Sequence, residues 1–379
     1  MNLNLVSTLA DLVRINSVNP AYEGGCSEAA VASFVGGFFR ARGIETREQE
    51  VFPGRPNLIA RVPGRNPARR IILEAHTDTA SVKGMAIPPF EPTVSGGRLH
   101  GRGACDTKAG LAGMMHALAS LKEDGITPPC EVWLAAVADE EYAYRGVVKL
   151  CEGLTGQASI VAEPTELRLV VATKGVLRWR IRVGGRAAHS SKPHLGVNAI
   201  NHMARLILEL EADEQLLKRR PHPLLGPATC NIGVISGGVQ VNFVPDSCVI
   251  EIDRRLLPGE AVSDVLAHYQ RLIGRLRHEH PTFEAAMEPP MLTDEALDLP
   301  SDPAPARLAG EILRSMGLNG EPSGVPFGSD ASKLSRQGIP SFVFGPGSID
   351  RAHAAVEYVE IEQLVQAFEF YREFLRRFE

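Results

Sequence analysis

The sequence has no apolar run near the about 18 residues that a membrane-spanning helix needs. Its six cysteines form no CxxC pair, so we expect reduced thiols rather than a disulfide framework. The N-terminal segment has no basic region and carries Asp11, which is unlike a signal peptide. These absences predict a cytoplasmic protein without a membrane span.

Basic residues are also slightly outnumbered, since 40 Lys and Arg face 45 Asp and Glu for a net charge of −5. This mild acidity argues against nucleic acid or an anionic membrane as the main partner. The sequence contains no His-Glu-x-x-His helix motif, no Gly-x-Ser-x-Gly elbow and no Walker loop. The Gly-Arg-Gly-Ala-Cys-Asp segment from Gly101 falls short of a dinucleotide fingerprint, because Asp106 stands where the third glycine belongs.

The 379 residues exceed the length of about 250–300 residues at which a single core stops growing, so two domains are expected. Near-continuous apolar runs such as Arg70–Ala75 and Glu131–Ala138 alternate with helical patterns, which predicts an α/β domain with a mostly parallel, helix-covered sheet. The strict alternation of Arg178–Val183 and the order β-α-β-β-α-β predict an inserted α+β, ferredoxin-like domain. We therefore predict a discontinuous catalytic domain, 1–175 and 291–379, with an insert at 176–290.

Polar side chains stand directly after several of the apolar runs that predict buried strands. The carboxyl ends of strands in an open α/β sheet meet at one crevice, where such sheets bind ligands. We therefore expect this crevice to collect the residues after these runs, together with one aspartate at the head of a predicted helix: His76, Asp78, Glu140, Glu141, Glu163, His353 and Asp106.

A crevice with two histidines and several carboxylates is not stable empty, because like charges at short range disfavour one another. Mixed imidazole and carboxylate ligands indicate Zn²⁺, with Co²⁺ or Mn²⁺ as substitutes. The ligands are too many for one tetrahedral catalytic zinc and suit two metals bridged by a carboxylate and a water. Each motif alone has an ordinary structural explanation; Asp106, for example, would serve as a helix N-cap. Only their joint occurrence favours a metal centre.

Several segments together resemble the dizinc aminoacylase family in order and spacing: His76-Thr77-Asp78, Gly101 through Lys108, Asp139-Glu140-Glu141, Ala162-Glu163-Pro164 and Ala352-His353. That family includes acetylornithine deacetylase, succinyl-diaminopimelate desuccinylase, aminoacylase and glutamate carboxypeptidase. The resemblance covers essentially the whole chain. It implies a zinc-peptidase catalytic domain with an inserted lid, and it predicts a homodimer formed through that lid.

The resemblance also implies the metal ligands. His76 and Glu163 would bind one zinc, and Glu141 and His353 would bind the other. Asp106 would bridge the two metals. The peptide bond after this aspartate is often cis in the family, so Asp106–Thr107 is expected to be cis.

Two further acids have implied roles that do not involve direct metal binding. Asp78 would accept a hydrogen bond from the other ring nitrogen of His76 and so fix its tautomer. Glu140 would be the general base, taking the proton of the bridging water and giving it to the leaving amine. The resulting hydroxide would attack the amide carbonyl.

The resemblance extends to substrate contacts. His189 would donate to the developing oxyanion, often from the partner subunit in relatives, although a polar loop histidine remains the alternative. Asn242 and Arg255 match family substrate contacts, and an arginine suits bidentate binding of an α-carboxylate. Gly328 and Ser329 resemble a substrate-lining loop, although by themselves they indicate only a turn.

The closing segment through Glu357 and Tyr358 looks most like acetylornithine deacetylase, which predicts removal of an N-acyl group from a small amino acid with a free carboxylate. Alternatives within the family are a succinyl-diaminopimelate desuccinylase and a dipeptidase or carboxypeptidase. A non-catalytic, metal-stabilised binding protein is the alternative from another class, although such relatives normally lose a ligand or the base. The loop from Thr79 to Met85 departs from the family's Val-Pro segment, so the residues leave the substrate open.

Overall fold

The computed structural model describes residues 3–300 and 303–379. Within them the chain divides into two compact units. The first unit comprises the described residues of 1–171, 299–323 and 329–379, and the second comprises 172–298 and 324–328. Among the described residues, no helix is both long enough and apolar enough to cross a membrane.

The α-helices of the described residues alternate with strands along most of the chain. In chain order they are α1 (Leu3–Arg14), α2 (Ala29–Arg40), α3 (Lys108–Glu123), α4 (Arg145–Leu150), α5 (Ala199–Leu217), α6 (Val262–Glu279), α7 (Ala304–Ser315), α8 (Ala331–Arg336) and α9 (Ile361–Arg377).

The strands are mostly short. In chain order they are β1 (Glu45–Phe52), β2 (Arg55–Val62), β3 (Asn66–His76), β4 (Thr93–Ser95), β5 (Arg98–His100), β6 (Cys130–Val137), β7 (Ala158–Val161), β8 (Val170–Thr173), β9 (Gly175–Gly184), β10 (Ala188–His189), β11 (Thr229–Gly237), β12 (Phe243–Val244), β13 (Ser247–Leu256), β14 (Glu284–Met287), β15 (Leu292–Asp294), β16 (Leu297–Asp298), β17 (Ser323–Val325), β18 (Ser341–Val343) and β19 (Tyr358–Glu360).

The first unit is built on a mixed sheet in the order β1-β2-β6-β3-β7-β18, with Val343 of β18 paired to Val170 of β8. The central strands are parallel, because β3 pairs in parallel with both β6 and β7, and β7 with β18. β1 and β2 are antiparallel additions at one edge. This confirms the predicted α/β class with a mostly parallel, mixed sheet, and it brings the carboxyl ends of β3, β6 and β7 to one edge.

Helices cover the sheet of the first unit and explain its apolar strands. Ile71, Ile72 and Leu73 of β3 are all fully buried, as expected for a strand covered on both faces. α3 packs against α1 and α9 as well as β3, so it is buried nearly all round rather than on one stripe. Full burial of a large apolar side chain such as Ile71 or Leu73 stabilises the fold by about 1.5–3 kcal/mol relative to exposure.

His116 of α3 links this helix to α1. Its Nε2 lies 2.8 Å from the hydroxyl oxygen of Thr8, and that hydroxyl itself donates to the main-chain oxygen of Asn4 at 2.9 Å. The hydroxyl oxygen of Thr8 is therefore left to accept from the ring N–H. Burial, and secondarily the charge of Arg42, lowers the pKa of His116 to about 4.

We expect His116 to make the fold acid-sensitive between about pH 6.5 and pH 4. Its folded pKa lies below its unfolded value of about 6.5, so the stability it contributes is present above pH 6.5 and is lost as the pH falls toward 4. Because the side chain is only half-buried, solvent screening limits the loss to the order of 1 kcal/mol. Denaturant unfolding of the wild type and His116→Gln at pH 7.5 and 4.5 measures this. Equal pH dependence in the two proteins would contradict the expectation.

The second unit has an antiparallel sheet in the order β11-β13-β9-β14. Its elements follow one another as β9-α5-β11-β13-α6-β14, with the short ribbon of β10 and β12 between them. Along β9 the side chains of Trp179, Ile181 and Val183 are buried, while those of Arg178 and Arg182 face solvent. This confirms the predicted β-α-β-β-α-β insert and its one wet face.

The borders of the compact units differ from the boundaries predicted from the sequence. The second unit begins at 172 rather than 176 and continues to 298 rather than 290. The reason is strand pairing, since Leu292–Asp294 adds a further strand beside β9, and Leu297–Asp298 pairs with the end of β8. Two such short pairings leave no alternating pattern in the sequence. The lid and dimerisation roles of the insert stay predictions.

Candidate metal centre

The parallel strands of the first unit deliver their polar ends to one edge of the sheet. β3 ends at His76, Glu140 and Glu141 follow β6, and Glu163 follows β7. Since β3 lies between β6 and β7, these side chains become neighbours although they are far apart in sequence.

Two groups of three side chains meet at this edge with candidate ligand atoms within 4.8 Å of one another. One group is His76, Asp106 and Glu163, and the other is Asp106, Glu141 and His353. The Nε2 atom of His76 lies 3.0 Å from Oδ1 of Asp106, whereas Nε2 of His353 lies 3.3 Å from Oδ2. Asp106 therefore turns one carboxylate oxygen toward each group, as a bridging ligand requires.

Electrostatics indicate that this site suits cations. Burial raises the pKa of Glu163 well above its ordinary value, and the nearby carboxylates of Asp106 and Glu140 raise it further. Burial and the charge of Asp106 likewise raise the pKa of Glu141. Divalent cations would relieve this crowding of negative charge, and the imidazole and carboxylate donors are ligands that Zn²⁺ accepts. The residues present thus fit a dinuclear metal site.

The backbone at Asp106, the residue common to both candidate groups, agrees with the sequence expectation. The Asp106–Thr107 peptide bond is cis. The amide nitrogens of Cys105 and Asp106 both donate to the carboxylate of Glu357, at 2.9 and 3.1 Å. Glu357 is fully buried and also accepts from Arg102 at 2.5 Å. In the sequence Glu357 is recognisable only as part of the closing motif, and the hydrogen bond that it accepts from the amide of Asp106 depends on the fold.

The contact between Asp78 and His76 differs from the expectation, because it is made by the main-chain oxygen of Asp78 rather than by its carboxylate. Nδ1 of His76 lies 2.9 Å from the main-chain oxygen of Asp78 but 3.6 Å from its carboxylate, so the carbonyl is the nearer acceptor of the ring proton. A carbonyl fixes the tautomer of a ligand histidine as a carboxylate would. The carboxylate of Asp78 instead accepts from the amide nitrogens of Glu140 and Glu141, at 3.1 and 3.0 Å, because it points toward the turn after β6.

Glu140 lies beside the ligands without belonging to either group of three. Its Oε2 atom is 4.0 Å from Nε2 of His76. Burial and the carboxylate of Glu141 raise the pKa of Glu140 to about 8, although the charge of His76 opposes the rise. Adjacent carboxylates thus occupy different positions, one among the ligand atoms and one beside them.

Two substrate contacts predicted in the second unit lie together on one small ribbon. His189 of β10 pairs with Phe243 of β12, and the amide of Ser190 donates to the main-chain oxygen of Asn242 at 3.0 Å. Both His189 and Asn242 are exposed. The ring Nδ1 of His189 lies 2.8 Å from the hydroxyl oxygen of Ser191, which leaves Nε2 at the outer end of the ring.

The remaining predicted contacts differ in exposure. Arg255 is half-buried and donates from Nε to Asp253 at 2.8 Å, while the neighbouring Arg254 is buried on the other side of β13. Ser329 is fully buried, so its side chain does not offer a surface to a ligand in this conformation. Gly328 lies in the second unit, where a Cβ would come within 2.3 Å of an Asp294 carboxylate oxygen. Close packing alone accounts for this glycine.

Comparison with protein families now identifies the class of this chain. The model of "Peptidase family M20/M25/M40" matches residues 72–377. The chain belongs to this family, which confirms the resemblance drawn from its motifs. It is a hydrolase that acts on amide bonds.

Curated relatives carry more than one activity. The chain is 33% identical over 319 residues to an acetylornithine deacetylase of Myxococcus xanthus, covering 82% of this chain and 80% of that protein. It is 28% identical over 371 residues to an N-formyl-4-amino-5-aminomethyl-2-methylpyrimidine deformylase of Bacillus subtilis, covering 89% and 86%. The family is therefore shared by enzymes with different acyl groups and amines.

Solved structures show the same fold over nearly the whole chain. An aminopeptidase PepT of Bacillus cereus superposes with a TM-score of 0.83 at 24% identity, covering 98% of this chain and 97% of that one. A dinuclear metal-binding peptidase of the M20 family from Bacillus subtilis superposes with a TM-score of 0.74 at 18% identity, covering 98% and 96%.

Proposed function

We propose that this protein removes an N-acyl group from a small amino acid with a free α-carboxylate, as an acetylornithine deacetylase does. The observation that carries the proposal is the position of Glu140 beside two ligand groups that share Asp106. A general base next to a dinuclear site is the minimal equipment for amide hydrolysis. The 33% identical acetylornithine deacetylase supports the choice of substrate class.

Two Zn²⁺ ions suit the donors, with Co²⁺ or Mn²⁺ as substitutes. His76, Asp106 and Glu163 would hold one ion, and Asp106, Glu141 and His353 the other. When bound, such ions polarise a carbonyl group and make water a stronger nucleophile at neutral pH.

The chain's own side chains would move the proton and hold the substrate. Glu140 takes a proton from the attacking water at its carboxylate and returns it to the leaving amine. Asp78 holds the amides of Glu140 and Glu141 and thereby fixes the direction of the base. His189 donates to the oxyanion as it forms.

The substrate carboxylate is assigned to Arg255. This guanidinium uses Nε and one Nη nitrogen on Asp253, at 2.8 and 3.4 Å, so donors remain for a ligand. Asn242, Gly328 and Ser329 complete the proposed substrate contacts. For Ser329 this requires a movement of its loop, because the side chain is buried.

A substrate panel tests the proposal. The purified metal-loaded protein is assayed on N-acetylornithine, N-succinyl-diaminopimelate, dipeptides and N-formyl amides, with metal content measured in parallel. We expect the highest kcat/KM on an N-acetyl amino acid and loss of turnover after chelation. A preference for dipeptides or formyl amides would replace the substrate class, and full turnover after chelation would overturn the mechanism. Tight metal binding with no turnover on the whole panel would support a binding protein.

We also propose that the protein forms a homodimer through its second unit. β11 is the edge strand of the five-stranded sheet and exposes Val234 and Ile235, each more than half accessible. Leu208 of α5 is also exposed, at 64%. An open strand edge beside exposed apolar side chains is suited to pairing with a second copy.

The Ile235→Lys variant should shift the protein from dimer to monomer in analytical ultracentrifugation, because a charge would have to be buried at the paired edge. If His189 acts across the dimer, the same variant should lower kcat about as much as His189→Ala does. The exposed Val94→Lys in the first unit serves as the control and should change neither property. A wild-type monomer that is fully active would contradict the proposal.

The proposed location is the cytoplasm. All six cysteines are free in the structure, including the buried Cys105 and Cys130. This agrees with a reducing compartment, where thiols persist.

A further inference from the structure

An N-terminal segment supports the turn that carries Glu140 and Glu141. Asn19 lies in this segment and its side chain is fully buried. Its amide nitrogen Nδ2 donates to Oδ2 of Asp78 at 2.8 Å and to Oδ1 of Asp139 at 3.0 Å. Its Oδ1 atom accepts from the amide of Ala21 at 3.0 Å, which sets the orientation of the side-chain amide.

Asn19 thus bridges two carboxylates, that of Asp78, which accepts hydrogen bonds from the turn, and that of Asp139, which begins the turn. The carboxylate of Asp78 accepts from the amides of Glu140 and Glu141, the two residues of the turn with functional side chains. Asp139 precedes them with a φ of 67°, a left-handed conformation that non-glycine residues rarely adopt. Its carboxylate is held in addition by Arg55 at 3.0 Å.

A second residue of the same segment, Tyr22, forms a hydrogen bond to the other end of the turn. The hydroxyl of Tyr22 donates to the main-chain oxygen of Glu141 at 2.6 Å. The amide and the carbonyl of Glu141 are therefore both held, one by Asp78 and one by Tyr22. The segment 19–22 is involved in both contacts. Tyr22 bonds directly to the carbonyl of Glu141, and Asn19 bonds to Asp78, which accepts from the amide of Glu141.

The chemistry at position 19 is demanding. Two buried carboxylates, Asp78 and Asp139, lie within hydrogen-bond distance of one nitrogen atom, so that atom must supply two hydrogens. A side-chain amide does this without adding charge, a hydroxyl supplies one hydrogen, and an ionised carboxylate supplies none. A carboxylate side chain at position 19 would leave three carboxylates facing one another in a buried space.

We propose that Asn19 is a positioning residue for the catalytic turn: its amide bridges Asp78 and Asp139 and thereby sets the directions of Glu140 and Glu141. The proposal rests on the proposed role of Glu140 as base and of Glu141 as ligand. Substitution of groups that orient ligands and catalytic side chains typically costs about 10–100-fold in metal affinity or activity. Asn19 touches neither substrate nor metal in this scheme and acts through the turn.

A series of variants with decreasing numbers of donor hydrogens tests the proposal. The wild type supplies two hydrogens and Asn19→Ser supplies one, whereas Asn19→Asp supplies none when ionised, brings a third acid between Asp78 and Asp139, and cannot supply two hydrogens in either protonation state. On the N-acyl amino acid that the wild type hydrolyses best, we expect kcat to fall about 3–10-fold in Asn19→Ser and about 10–100-fold in Asn19→Asp. KM should stay within about threefold, because the substrate contacts are elsewhere.

Metal binding supplies a readout that does not depend on turnover. Titration of the metal-free protein with Co²⁺, followed by its visible absorption, should show one of two sites weakened about tenfold in Asn19→Asp, because Glu141 is displaced. Asn16→Asp is the matched control, since its side-chain oxygen only accepts, from the amide of Val18 at 3.0 Å, and a carboxylate keeps that bond. This readout remains even if no substrate of the panel is hydrolysed, so the two proposals fail separately.

The kinetic and Co²⁺-binding results for these variants either support or overturn the proposal. The proposal is supported if kcat and Co²⁺ affinity fall in the order Asn, Ser, Asp while Asn16→Asp behaves as the wild type. It is overturned if Asn19→Asp lowers only the melting temperature, or if it raises KM at unchanged kcat. If Asn19→Asp does not fold, Asn19→Ser and Tyr22→Phe decide the question by the same two measurements, and wild-type values in both would overturn the proposal.

Discussion

The Glu140→Gln variant is expected to lose about 10³-fold or more in kcat while it retains two metal ions per chain. General acid–base catalysis contributes about 10²–10⁴-fold, and here one carboxylate is assigned both proton transfers. Metal should stay because Glu140 belongs to neither group of candidate ligands. Steady-state kinetics on the best panel substrate, with metal analysis of the same preparation, measures both quantities.

The neighbouring Glu141→Gln variant is the matched control for this experiment. The two substitutions are chemically identical and one residue apart, but Oε2 of Glu141 lies 3.0 Å from Nε2 of His353 among the candidate ligand atoms. Glu141→Gln should therefore lose activity together with metal. If Glu140→Gln keeps more than about a tenth of the wild-type kcat, the assignment of the base is wrong.

The Asp106→Asn variant should bind less than one metal ion per chain and lose at least about 10³-fold in activity. Among the residues that the structure describes, its carboxylate is the only group shared by both sets of candidate ligands, and an amide lacks the negative charge that two cations require between them. Added Zn²⁺ should consequently stabilise the wild type but not the variant. At a hundredfold excess over Kd, binding to one site stabilises a fold by about 2.7 kcal/mol.

Metal analysis and thermal unfolding with and without Zn²⁺ test this expectation directly. Asp124→Asn, an exposed aspartate at the end of α3, provides a control that should leave metal content and melting temperature unchanged. Retention of two tightly bound ions in Asp106→Asn would show that the bridging role is wrong. An equal Zn²⁺-dependent rise in melting temperature in both proteins would have the same meaning.

The sequence predicted the centre of the site because polar residues directly after apolar runs mark the ends of buried strands. β6, β7 and the buried second half of β3 are largely apolar, and the polar residues at or just after their ends must project from one edge if the strands are parallel. His76, Glu141 and Glu163 converge for that reason. The presence of Asp106 at this edge follows from similar reasoning, since it stands just before a helix that covers the sheet, whereas its expected bridging role came from the family resemblance.

Asn19 shows why the supporting residues could not be predicted in the same way. It lies 59 residues from Asp78 and 120 from Asp139, and its neighbour is a proline, so the sequence indicates only a turn. Glu357 is comparable, since it is 251 residues from the amide of Asp106 that it holds. Such bonds depend on which loops lie over the sheet edge, and no local pattern carries that information.

Asp78 marks the limit in atomic detail. Its place beside His76 follows from a spacing of two residues, but the choice between its carbonyl and its carboxylate depends on the local turn of the chain. In the fold the carbonyl lies nearer the ring, and the carboxylate is directed to Glu140 and Glu141. The role of Asp78 therefore shifts from a partner of His76 toward a support for the turn.

The sequence by itself predicted the class of fold and a crevice of imidazole and carboxylate donors, because burial pattern and side-chain chemistry are local properties. The family resemblance added the expected roles of the ligands and of Glu140 as base. The tertiary structure decided which carboxylate oxygen of Asp106 faces His76 and which faces His353, where the second unit ends, and what holds Glu140 and Glu141 in different directions. These features arise from contacts between segments far apart in the chain. Their geometry exists only once β3, β6, β7 and the N-terminal segment have packed together.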